Sequence, residues 1–139
     1  LLSIAESFTG LSAAASGAHI HCCAPVGTNT AIALPFVNFP AATAGIYSMT
    51  YDLTQTATYT SAFLTANGGT ATTAEAALIA GMNSGQAYLN IHDANFPGGE
   101  IRGQLAVQGS TVPEPTTTAL LLAGLAPMIS VLRRRGRKG

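Results

Sequence analysis

The sequence predicts an all-β fold: an antiparallel β-sandwich of Greek-key type with a short helical insertion, followed by one C-terminal transmembrane helix. Three observations carry this expectation. Short apolar runs are punctuated by Gly, Thr, Ser, Ala and Asn, the signature of short strands joined by turns. One stretch, beginning Thr72-Thr73-Ala74-Glu75, matches the S/T-x-x-E capping box and runs on into an Ala-rich segment that favours helix. Finally, Thr116 to Leu132 carries no charge and is followed directly by RRRGRKG.

Leu2–Leu11 is the first candidate strand, with Ile4, Glu6 and Phe8 alternating against Ala5 and Ser7. Ala18–Cys22, Thr30–Leu34 and Gly45–Leu53 follow. A helical turn is expected at Ser61–Ala66. The longer helix runs to Met82, where Asn83-Ser84-Gly85 stops it. In Gln86–His92, residues Ala87, Leu89 and Ile91 face one way and Tyr88, Asn90 and His92 the other. In Glu100–Val107, Ile101, Gly103, Leu105 and Val107 share a face opposite Glu100, Arg102 and Gln104. The link between these two strands contains Pro97-Gly98-Gly99, so they should form an antiparallel hairpin.

A chain of 139 residues allows one domain. Only 9% of the residues are charged, against roughly 25% in an average soluble domain. With 47% hydrophobic residues, the composition excludes a disordered charged tail. The formal net charge of +0 hides an asymmetry: five of the six basic residues fall in the last seven positions. Up to Gly109 there are five acids and one base, Arg102, a balance of −4. That body lacks the basic stripe that nucleic-acid binding needs. The organisation expected is a body over 1–109, a linker over 110–115, a membrane span over 116–132 and a basic cytoplasmic tail over 133–139. At 1.5 Å per residue the uncharged run spans about 26 Å, close to a bilayer core of roughly 30 Å once snorkelling arginines are counted. Basic residues after the span place the tail in the cytoplasm and the body outside. Residue 1 is Leu and no signal-type segment precedes the body, so the chain is expected to be a fragment that begins inside its first domain.

Chemistry-bearing residues are few. The three histidines are His19, His21 and His92. His19 and His21 stand at i and i+2, on one face of a strand, with Cβ atoms about 7 Å apart. Imidazoles so spaced suit Cu or Zn, and His92 would join them if its strand lies alongside. The competing reading gives the rings structural hydrogen bonds. Glu100 and Arg102 share a strand face, and Arg102 is expected to pair with Glu100 or Asp93. The adjacent Cys22 and Cys23 leave three readings open: a strained vicinal disulfide, pairing with cysteines in the missing N-terminal part, or thiolate ligands beside the histidines. No Gly-x-Ser-x-Gly elbow and no phosphate loop occurs, so no catalytic residue is assigned.

Two resemblances follow from these motifs. Pro113-Glu114-Pro115, the short apolar run and the Arg-rich end, in that order over Val112–Gly139, resemble a PEP-CTERM sorting signal. This implies an exported bacterial protein, held at the membrane, then processed near Pro-Glu-Pro by an exosortase-type membrane enzyme and released to the cell surface or extracellular matrix. In the body, Phe8-Thr9-Gly10-Leu11 leads to Gly17-Ala18-His19-Ile20-His21. Further on, Ala87-Tyr88-Leu89-Asn90-Ile91-His92 precedes Phe96-Pro97-Gly98-Gly99-Glu100-Ile101-Arg102-Gly103-Gln104-Leu105. Together these stretches, from about Ser7 to Val107, resemble a CHRD domain. Asp93 stands where the family usually has Thr, and the Cys pair replaces Gly-type residues. The first strands of the family's domain are absent, in line with a truncated start. The resemblance implies a β-sandwich-like module without a settled biochemical activity. Its H-x-H strand is similar to that of the copper–zinc superoxide dismutase sandwich, but three histidines are too few for that enzyme's bridged pair of metals. The functional expectation is a non-enzymatic surface or biofilm-matrix module with a structural or binding role, its partners including exopolysaccharide or matrix components. The alternative is a Cu- or Zn-binding domain, with redox activity as one form of it, using His19, His21 and His92.

Overall fold

A computed structural model describes residues 1–105. Within them lie six strands and two α-helices in the order β1 Leu2–Phe8, β2 Ala15–His21, β3 Ile32–Pro35, β4 Gly45–Tyr51, α1 Ser61–Ala66, α2 Ala71–Asn83, β5 Ala87–Asp93 and β6 Ile101–Leu105. A single 3₁₀ turn, Thr56–Thr58, precedes α1. The strands form two antiparallel sheets, β1-β4 and β3-β2-β5-β6. No helix among the described residues is long and apolar enough to cross a membrane. The expected span over 116–132 and the basic tail lie outside the described residues.

In the two-stranded sheet, side-chain alternation sorts the residues as anticipated. Leu2, Ile4, Glu6 and Phe8 turn inward, opposite Tyr51, Met49, Tyr47 and Gly45, while Ser3, Ala5 and Ser7 face out. Gly45 is bare where the Phe8 ring lies: a Cβ there would sit 3.1 Å from it. Phe8 stops the strand, because Gly10 turns the chain at φ 82°, so Thr9–Leu11 is not strand.

The four-stranded sheet has an apolar face and a polar face. Ala18, Ile91 and Ile101 align on the apolar side, as do Ile20, Leu89 and Gly103. This face and the inner side chains of β1 and β4 belong to one hydrophobic core, together with Phe63, Leu78 and Leu34. Each such large apolar side chain contributes about 1.5–3 kcal/mol when removed from water. On the polar side, His19, Asn90 and Arg102 align, and His21, Tyr88 and Gln104 form the next row.

The helical insertion forms where expected, but its cap is displaced. The N-cap of α2 is Thr70, whose side chain accepts from the Thr73 N–H, and Thr73 occupies the position expected for Glu75 in a capping box. Gly68 and Gly69, both at positive φ, end the preceding connection so that Thr70 arrives extended. The Thr60 hydroxyl caps α1 and also donates to the Ile32 carbonyl, fastening that helix to β3.

Candidate metal centre

The site grows from a single property of strands: alternate residues share a face. His19 and His21 stand together on β2, and β5 runs antiparallel beside it, with His92 opposite Gly17. A Cβ at Gly17 would lie in ordinary contact with the His19 ring, 3.6 Å from its Nε2. His19 and His92 approach to 5.0 Å between ring centroids. His21 lies 5.9 Å from His19 and 6.1 Å from His92. One ring nitrogen from each residue falls within 4.8 Å of the other two. The three histidines picked from sequence are thus brought together.

Backbone carbonyls set the rings. His21 Nδ1 donates to the Thr30 carbonyl at 2.8 Å, and His92 Nδ1 donates to the Pro97 carbonyl at 2.8 Å. A carbonyl only accepts, so each Nδ1 carries a proton, and in the neutral ring Nε2 presents the lone pair. Both Nε2 atoms, and Nδ1 of His19, are buried without a hydrogen-bond partner. Burial, chiefly, with the neighbouring His92 and His21 adding to it, pushes the His19 pKa down to about 4. Burial also lowers that of His21; the Thr30 bond opposes this, and His92 and Arg102 reinforce it. Burial therefore favours the neutral imidazole form of His19 and His21.

Around the rings lie residues that sequence reasoning did not assign to the site. Tyr88 stacks on His21, with centroids 4.7 Å apart and planes 2° from parallel. The Arg102 guanidinium lies 3.5 Å over the Tyr88 ring. Asn90 donates to the Gly98 carbonyl, and Gly99, at φ 106°, leaves the space its side chain occupies. The alternation of Tyr88, Asn90 and His92 was legible. The carbonyls of Thr30 and Pro97 carry no side-chain signal and were not.

One expectation is corrected and one open choice is resolved. Arg102 pairs with neither Glu100 nor Asp93; it donates to Asn29 Oδ1 and the Thr28 carbonyl, both at 3.0 Å. The two acids grip the β1–β2 connection instead. Glu100 accepts from the Ser12 N–H, and Asp93 accepts from the Ser12 hydroxyl and the N–H groups of Ala13 and Phe96. These bonds stabilise Asp93 as a carboxylate: burial works to raise its pKa, but the bonds outweigh it and the net direction is down. Of the three cysteine readings, the structure shows the first: Cys22 and Cys23 are joined in a disulfide, so neither is a thiolate ligand. Both sulfurs pack against Gly81 of α2. Pro113, Glu114 and Pro115 lie outside the described residues.

Residues 2–105 match the family model of the CHRD domain. The chain belongs to the CHRD family. Behind this CHRD domain, residues 111–138 match the PEP-CTERM protein-sorting motif. Comparisons with curated proteins and with solved structures found no match to the chain. The histidine cluster sits wholly inside the CHRD match, on β2 and β5.

Proposed function

We propose that the chain is an exported CHRD module that acts at the cell surface or in the extracellular matrix in a structural or binding role, without catalysis. The order of its two matches carries this reading: a CHRD body followed by a PEP-CTERM sorting motif. Such a motif implies export and processing by an exosortase-type membrane enzyme. The uncharged run Thr116–Leu132 serves as the membrane anchor before cleavage, and the arginines after it hold the C-terminus in the cytoplasm. Two sheets sharing one core support a sandwich arrangement for the body. A low charge content and a chain rich in Thr, Ser and Ala suit a matrix component that meets polysaccharide.

Mass spectrometry of protein released from producing cells tests the sorting. The expected product ends before Thr116. Mature released protein that still carries the arginines overturns the processing. A reporter fused after Gly139 should be active only on the cytoplasmic side, and periplasmic activity overturns the orientation.

A further inference from the structure

We propose that His19, His21 and His92 bind one Zn²⁺ or Cu²⁺ ion as a three-nitrogen centre on the polar face of the four-stranded sheet. The inference goes beyond surface sorting and is independent of it. Three separate observations converge. The ring nitrogens lie within 4.8 Å of one another. At a metal–nitrogen distance of about 2.0–2.1 Å, tetrahedral ligand nitrogens stand about 3.3 Å apart, so small ring rotations close the gap. His21 is only 8% exposed, and its Nε2 is buried without a hydrogen-bond partner, as is that of His92. A buried acceptor with no donor is costly, and an ion at the centre of the cluster would satisfy it. Lastly, the Nδ1–H of both rings is fixed on a backbone carbonyl, the outer contact that orients metal-ligating histidines and points Nε2 at the ion.

The donor set selects the metal. Three imidazoles suit Zn²⁺ and Cu²⁺, whereas Mg²⁺ and Ca²⁺ need oxygen. Asp93, next in sequence to His92, has both carboxylate oxygens engaged by Ser12, Ala13 and Phe96. The nearby cysteines are oxidised to a disulfide. Neutral ligands leave the ion's charge uncompensated, and Arg102 adds positive charge over Tyr88. The fourth position would therefore favour water, hydroxide or a small anion. His19 and His92 are both half-buried, which leaves the centre a side facing solvent.

The test is calorimetric titration of the full chain, purified in detergent and stripped with chelator, using ZnCl₂ and then CuSO₄. One equivalent of each should bind, Cu²⁺ more tightly than Zn²⁺. His19→Gln and His92→Gln should each weaken binding at least tenfold, with circular dichroism unchanged. His21 is the most buried ligand, so the Cu²⁺ paramagnetic resonance spectrum of the unmodified chain provides a measurement that needs no variant. It should show coupling to imidazole nitrogens. Absence of saturable binding, full affinity in both variants, or a spectrum without nitrogen coupling would each overturn the centre.

Discussion

Gly81 sets two effects of known size against each other. It lies inside α2, where alanine is favoured over glycine by about 1 kcal/mol. A Cβ there would land on Cys22 Sγ and come within 2.7 Å of Cys23 Sγ. Overpacking of this kind costs about 1–3 kcal/mol, so sterics should win and Gly81→Ala should lower the midpoint of urea unfolding. Glu6 presents another conflict. Its carboxylate faces a cleft shared with Leu89, Ile91 and Leu105, one oxygen is buried without a partner, and burial raises its pKa above 4.5. The folded state holds that proton more tightly than the unfolded chain does. The resulting stabilisation is complete below the ordinary carboxylate value and is lost as pH rises through the raised one. Glu6→Gln should therefore be more stable than the unmodified chain at neutral pH, with the difference closing towards pH 4. Denaturation midpoints measured across that range check it. At this scale the histidines were legible, because i, i+2 spacing settles a shared face. Arg102 was not, because its partners Thr28 and Asn29 lie on a loop whose path depends on the whole fold.

Element boundaries show how local signals and tertiary context divide the work. The β5–β6 hairpin was readable from its alternation and its Pro-Gly-Gly link, and the register aligns Ile91 with Ile101 as those patterns require. Ile91 is 1% exposed, so Ile91→Asp would bury an unpaired charge and should abolish cooperative unfolding; a conservative Ile91→Ala should cost about 2–5 kcal/mol. Thermal melts of both variants check the register, since an outward Ile91 would leave both unchanged. The cap of α2 was misplaced by two residues because Thr70, Thr72 and Thr73 compete as caps in sequence. Only the turn through Gly68 and Gly69 delivers Thr70 in extended geometry. Thr70→Ala should thus lower stability by about 1 kcal/mol, and Thr72→Ala by much less, in a urea comparison.

For the whole molecule, the division into a β body and a sorting tail was legible because each part carries an ordered set of motifs, not one isolated residue. The pairing of β2 with β5 was not, since strands separated by more than 60 residues leave no local trace of adjacency. That pairing turns three scattered histidines into a cluster, and it also stacks Tyr88 on His21. The chain has no Trp and four Tyr, so its ultraviolet emission is tyrosine emission alone. Tyr47 and Tyr51 are hydrogen-bonded to each other, and Tyr59 is bound to the Leu53 carbonyl. Tyr88 alone among the four stacks on a ring of the proposed centre. A paramagnetic ion seated there would quench its fluorescence, whereas closed-shell Zn²⁺ would not, so Tyr88 would serve as an optical gauge of which metal the proposed centre takes.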